Sequence, residues 1–242
     1  MFIRTENFRE FIRFYPAVSL IIFIHLLLYL FSVIPISPNS WFIGNFSGVN
    51  LYIAEGQYWR LITPIFLHNG FTHLLFNSFA LIIVGPGLEK RLGKVKFLSL
   101  YVLCGVSGNL ATFILEPLSY THTGSSGAIL GLFGFYTAII MFRKHWISRD
   151  HSHMIIALLV ITLATSFLQP EINLTAHLFG LLIGFLIGNL SYYNQKEFRL
   201  SIGRAGNWAS SQGPAIKNTS PMKILLWSTI IILTILGFFS QK

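Results

Sequence analysis

The sequence predicts an all-α, polytopic membrane protein, on three observations. Of its 242 residues 53% are hydrophobic and only 10% are charged, where soluble domains carry about 25% charge. The apolar residues fall in long separate blocks, most near the roughly 17–25 residues that a helix needs to cross a bilayer. Lys and Arg punctuate these blocks instead of gathering on one face. A single Cys excludes a disulfide framework within the chain, and no CxxC pair suggests a zinc or iron–sulfur site.

Seven blocks can be drawn, at 15–34, 71–88, 97–115, 126–142, 154–167, 174–192 and 224–239. The fifth extends back through His151 and His153 and forward to Leu168. The fourth is short and begins among Gly and Ser. The first is read as a retained helix and not a signal peptide, because Pro35, Pro38 and Trp41 follow it where a small-residue cleavage site would stand. With the N-terminus inside, fifteen of the seventeen Lys and Arg fall on the inner side and only Arg60 and Lys242 outside. That bias follows the positive-inside rule and supports the span count. The expected organisation is a six-helix core over 1–194, a Gly- and Ser-containing cytoplasmic linker over 195–221 and a seventh transmembrane helix over 222–242. It places the N-terminus in the cytoplasm and the C-terminus outside, in a cell membrane of bacterial type. The outer segment 35–70, with Trp41, Phe42, Phe46, Tyr52, Tyr58, Trp59 and Phe66, reads as a compact interfacial structure, since amphipathic aromatics favour the headgroup region.

The formal net charge of +9 invites a nucleic-acid reading, but no basic stripe or RNP-like pattern accompanies it, and no nucleic-acid partner is expected. No Asp or Glu lies within any block, which argues against a relay or ion pathway built on buried carboxylates. What the blocks do contain is His73 and Asn77, four apart on one face of the second span, Ser126 opening the fourth, and His177 one turn into the sixth. These three spans run in the same direction, so the four side chains fall at a similar depth near the outer side. A Ser beside a His is the minimal kit for nucleophilic catalysis. His73, Asn77 and the Ser126 amide, unpaired in the first helical turn, could stabilise an oxyanion. Gly127, Gly131 and Gly134 face a matching series, Ala176, Gly180, Gly184 and Gly188, and such small-residue faces let helix backbones approach closely in lipid. On chemistry alone, catalysis, helix–helix hydrogen bonding and a transport pathway all remain open.

The motifs are more specific than the chemistry. Gly124-Ser125-Ser126-Gly127, Ala176-His177-Leu178-Phe179-Gly180 and His73-Leu74-Leu75-Phe76-Asn77 occur in order with Phe66-Leu67-His68-Asn69-Gly70, Trp59-Arg60 and Glu89-Lys90-Arg91-Leu92-Gly93. Together they resemble the rhomboid family of intramembrane serine proteases, over about residues 52–188. The resemblance implies Ser126 as nucleophile and His177 as base, a Ser–His dyad without a carboxylate. It implies an oxyanion hole of His73, Asn77 and the Ser126 amide, with Trp59, Arg60, His68, Glu89, Arg91, Gly127, Gly131, Gly180 and Gly184 as structural support. It also implies a six-helix core with a short, sunken fourth helix, and the seventh helix as an appended C-terminal one. The substrates implied are transmembrane segments of other proteins in the lipid bilayer, cut near the outer face, with no metal or organic cofactor.

Two positions depart from the family's pattern. Leu130 stands where many members carry an aromatic packed on the catalytic His, and Phe179 where a glycine is common; both imply altered packing near His177. His25 reads as a packing residue and Cys104 as a small buried hydrophobe. His122, His145, His151 and His153 lie at interfaces and form no expected metal site. The alternative to a protease is a non-catalytic membrane-protein binder or chaperone using the same groove. A transporter is disfavoured by the missing carboxylates and the absence of an inverted repeat.

Overall fold

Because backbone polar groups find no water in hydrocarbon, a spanning chain must satisfy them within helices; the architecture follows from that constraint. The computed structural model describes residues 6–33, 39–142, 147–169 and 171–204, with the backbone alone for 39–41 and 192–204. Its helices are α1 (Phe8–Phe14), α2 (Pro16–Val33), α3 (Asn39–Phe46), α4 (Asn50–Ala54), α5 (Phe71–Leu92), α6 (Lys94–Leu115), α7 (Ser126–Phe142), α8 (Arg149–Leu168) and α9 (Leu174–Arg204). Five of them (α2, α5, α6, α8 and the first part of α9) are long and apolar enough to cross a membrane, and α7 is a shorter apolar helix. The protein is therefore an all-α, multi-pass membrane protein. The six blocks expected from 15 to 192 each correspond to one of these helices.

The helix ends have local causes. α1 starts on a reciprocal cap, in which the Asn7 side chain accepts from the Glu10 amide and Glu10 accepts from the Asn7 amide. α2 starts at Pro16, where a missing N–H costs nothing. The next two amides, of Ala17 and Val18, donate to the Glu89 carboxylate at 2.8 and 2.9 Å. A buried acid from the far end of α5 thus caps α2 and meets the positive end of its dipole. α9 continues to Arg204, ten residues into the stretch expected as linker. The remainder of that stretch and the expected seventh helix lie outside the described residues.

α7 sits at the centre. Every residue from Gly127 to Ile139 is buried, as is Met141, against Leu81 and Val84 of α5, Phe97 and Tyr101 of α6 and Leu181 of α9. The outward faces carry large apolar side chains, among them Phe23 and Phe31 on α2, Phe76 and Phe79 on α5, Ile114 on α6, and Val160 and Ile161 on α8. Such a belt would drive aggregation in water and is what lipid contact requires. Between α2 and α5 the segment 39–70, expected on the outer side, folds as α3, α4 and two 3₁₀ turns, Tyr58–Leu61 and Thr63–Phe66. A two-residue antiparallel pair that the sequence reading did not anticipate, β1 (Gly48–Val49) with β2 (Thr121–His122), joins it to the α6–α7 loop.

Candidate active site

α5, α7 and α9 all begin at the same end of the bundle, and the polar side chains read from the sequence lie there. The loop entering α7 is pinned at Gly124, whose amide donates to the Pro64 carbonyl at 2.8 Å. Gly124 has φ +123°, a left-handed value that strains any other residue. It also lies against His73, since a Cβ there would stand 2.6 Å from Cε1 and 2.7 Å from Nε2 of the imidazole. His73 is thereby set beside the turn two residues before Ser126. Asn77, one turn further along α5, is buried, and its Nδ2 has no hydrogen-bond partner among the described residues. Ser126, half-buried, is the first residue of α7, where helix geometry leaves amides without intrahelical acceptors.

His177 reaches this point through a glycine seam. Any Cβ on Gly180 would collide with the Gly127 carbonyl, and any on Gly184 with the Gly131 carbonyl. A Cβ on Gly127 would come within 3.1 Å of the Ala176 carbonyl, and one on Gly131 would strike Cys104. With no side chains between them, the α7 and α9 backbones touch, and Gly127, the residue after Ser126, lies against Ala176, the residue before His177. His177 is 3% exposed. Its Nδ1 is 2.7 Å from Ser166 Oγ, and its Nε2 has no partner among the described residues. No hydrogen bond joins Ser126 to His177. Catalytic hydrogen bonds often tighten only when substrate is bound.

His68 does not point to a free surface. It is 2% exposed, with Nε2 3.3 Å from Ser125 Oγ and its ring edge-on to His25 and His73 at centroid distances of 4.6 and 5.1 Å. Burial, reinforced by the two neighbouring imidazoles, pushes its pKa down to about 2, so it stays neutral. His25 in turn meets the Tyr101 hydroxyl at 3.2 Å. Ser125, Tyr101 and Ser166 were not singled out in the sequence. Ser166 carried one usable signal: the connection from α8 to α9 is so short that residues near its two ends must be neighbours.

The outer segment is held by side chains that donate to carbonyls. Arg60, 2% exposed, donates from Nη1 to Gly44 O and Ser47 O, both at 2.7 Å, and from Nε to Gln57 Oε1 at 2.7 Å. Its guanidinium also lies 4.8 Å from the Tyr52 ring centroid. Trp59 Nε1 donates to Asn45 O at 3.2 Å. Asn50, unremarked in the sequence, donates from Nδ2 to the carbonyls of Thr112, Glu116 and Pro117 at the end of α6. Asn109 of α6 donates to Leu61 O at 2.9 Å. At the opposite end Glu89 caps α2, and Arg91 lies exposed in the last turn of α5, where a cation favours the helix dipole. Among the described residues no group of three or more His, Cys, Asp or Glu could hold a metal ion.

A multi-pass helical protein with His, Asn and Ser groups drawn together at one end of an apolar bundle is the class this geometry defines. The family model for the rhomboid domain matches residues 55–194, more than half of the chain. The chain belongs to the rhomboid family of intramembrane serine proteases. It is 50% identical over 190 residues to the putative rhomboid protease YdcA of Bacillus subtilis (strain 168), covering 78% of this chain and 96% of that one. It is 38% identical over 136 residues to the rhomboid protease GluP of the same organism, there covering 56% of this chain and only 26% of the relative. A rhomboid-type serine protease 2 from Emericella nidulans is 27% identical over 173 residues, 69% of this chain and 34% of that one.

Proposed function

We propose that this chain is a serine endopeptidase that cuts transmembrane segments of other membrane proteins near the outer face, with Ser126 as nucleophile and His177 as general base. His177 Nε2 would accept the Ser126 hydroxyl proton as Oγ attacks the scissile carbonyl. The same nitrogen would then hand the proton to the leaving amine, giving an acyl-enzyme that water clears by the reverse roles. The tetrahedral oxyanion would be met by His73, by Asn77 Nδ2 and by the Ser126 amide. The linkage to other serine proteases is one of roles and not of fold. A substrate helix must unwind locally to offer its carbonyl, so helix-weakening or small residues near the cut are favoured. The charge distribution supports an N-terminus inside, which puts the start of α7 on the outer side.

One observation carries this reading. In a tightly packed bundle, His177 Nε2 and Asn77 Nδ2 are both buried without partners among the described residues, at the end where Ser126 opens its helix. Buried polar atoms are nearly always satisfied, and those that are not point to a role or a missing ligand. Cleavage of a model transmembrane substrate in liposomes tests it, with Ser126→Ala and His177→Ala run alongside. Cutting by the wild type that is lost in both variants, together with Ser126-dependent labelling by a fluorophosphonate, is the expected result. Full wild-type binding of the substrate without cutting or labelling would instead identify a non-catalytic binder.

A further inference from the structure

Among the described residues Ser166 is the one hydrogen-bond partner of His177 on the Nδ1 side, and it comes from a different helix. Its hydroxyl, 4% exposed, is 2.6 Å from the Thr162 carbonyl oxygen one turn back on α8 and 2.7 Å from His177 Nδ1. A hydroxyl has one proton and two lone pairs. At 2.6 Å two oxygens must share a proton, because the carbonyl has none to give and bare lone pairs would repel. The Ser166 proton is therefore committed to Thr162 O, and what Oγ presents to the imidazole is a lone pair. His177 must then carry its proton on Nδ1 and leave Nε2 as an acceptor. That same Nε2 is the buried atom without a partner.

We propose that Ser166 is a positioning residue that selects the Nδ1–H tautomer of His177 and fixes the ring, so that Nε2 is ready to take a proton. The inference rests on the reading of His177 as general base. The chain of donors runs one way, from His177 Nδ1–H to Ser166 Oγ and from Ser166 O–H to the Thr162 carbonyl. When Nε2 takes the Ser126 proton, the imidazolium keeps its Nδ1–H on Ser166, and no proton moves along the chain. The hydroxyl does by dipole what a carboxylate does in other serine proteases, without the cost of a buried charge. Leu130, one turn after Ser126, cannot take part, having no polar atom.

The test uses the full chain in liposomes with Ser166→Ala and Ser166→Thr. Alanine removes the acceptor, whereas threonine keeps a hydroxyl that can still bond the carbonyl one turn back. At metal sites, loss of a group that orients a ligating imidazole typically costs about 10- to 100-fold, and the same order is expected for an imidazole that acts as a base. Ser166→Ala should therefore lower kcat by about that factor with KM nearly unchanged, and Ser166→Thr should restore most of it. Nitrogen-15 spectra of the His177 ring should show a single Nδ1–H form in the wild type and the threonine variant, and a mixture in the alanine variant. A wild-type kcat in Ser166→Ala would overturn the proposal. So would an unchanged tautomer in that variant, or a threonine variant as slow as alanine while both unfold at the wild-type temperature. Failure of the parent reading looks different, because cleavage or labelling that survives His177→Ala removes the base itself. The proposal falls with it, whatever Ser166 does.

Discussion

The α7–α9 seam and the outer segment hold the same site by opposite means. Along the seam the backbone is helical and satisfies itself, so nothing remains for side chains to bond, and the two helices are joined by removing side chains altogether. Gly127, Gly131, Gly180 and Gly184 bring main chain against main chain. In the outer segment the backbone is irregular and its carbonyls would be stranded. Arg60 donates to two of them, at Gly44 and Ser47, while Asn50 reaches from the segment to three carbonyls at the end of α6. Where the membrane permits only helices, closeness is the stabilising device. Where it tolerates irregular chain, the chain must be covered by protein. The seam can only be disrupted by adding atoms, and the outer segment by taking them away.

The largest expected effect is therefore Gly180→Val. The new side chain would meet the Gly127 carbonyl, and a rigid backbone has no rotamer by which to yield. Overpacking costs about 1–3 kcal/mol in ordinary cores and occasionally more, and a main-chain collision belongs at the upper end. Thermal unfolding in detergent should fall steeply and substrate cleavage should vanish. If the variant unfolds like the wild type, the seam is looser than described. As a control, Val160→Ala on the lipid-facing side of α8 should change unfolding by no more than about 0.5 kcal/mol.

Next in size is Arg60→Ala, which removes the Arg60 donor from the Gly44 and Ser47 carbonyls and should cost about 1–3 kcal/mol. Arg60→Lys should recover only part of the loss, because an ammonium cannot reproduce the fork that reaches two carbonyls and Gln57 together. Full recovery would show that charge matters here and geometry does not. Asn50→Ala should cost about 1–3 kcal/mol on the same reasoning, read as increased proteolysis within 39–70 or at the α6–α7 loop. Asn50→Asp should not rescue it, having acceptors where donors are needed.

The smallest effect falls where the outer segment meets the loop that leads into α7. His122 of β2 packs its ring on Gly48 of β1, and neither of its nitrogens has a partner among the described residues. Burial pushes its pKa down to about 4, against about 6.5 in an unfolded chain. Between those values the unfolded chain binds more protons than the folded one, so stability is complete above about pH 6.5 and declines as pH falls toward 4. His122→Phe should remove that part of the acid sensitivity while leaving neutral-pH unfolding nearly unchanged, as two melting series at pH 7 and pH 5 would show. An identical acid slope in both proteins would mean that His122 is not the group responsible.

Much of this is legible in the sequence. The fourth apolar block and α7 share the same bounds, Ser126 to Phe142, because Gly and Ser before the helix and an apolar run within it are local signals. The chain's membership of its family was also readable, since short motifs in fixed order survive without knowledge of their contacts. The donors to the outer carbonyls were less visible. Arg60 was read as an anchor, but Asn50 gave no sign, because its three acceptors lie more than sixty residues away. Ser166 was passed over for a similar reason. A Ser inside an apolar helix ordinarily bonds its own backbone one turn back, as this one does, and only the neighbouring helix reveals its second bond.

By itself, then, the sequence determined the order of the six apolar helices between residues 15 and 192, the side of each that avoids charge, and the residue types available for chemistry. Those properties depend on composition and on spacing within one turn or one span. Only the tertiary structure decided which partner each polar atom meets: that Glu89 caps α2, that His68 turns inward to Ser125, and that His177 Nδ1 meets Ser166 Oγ. Hydrogen bonds are directional over tenths of an ångström, and directions between helices are set by how their surfaces pack, a property that no single stretch of chain contains.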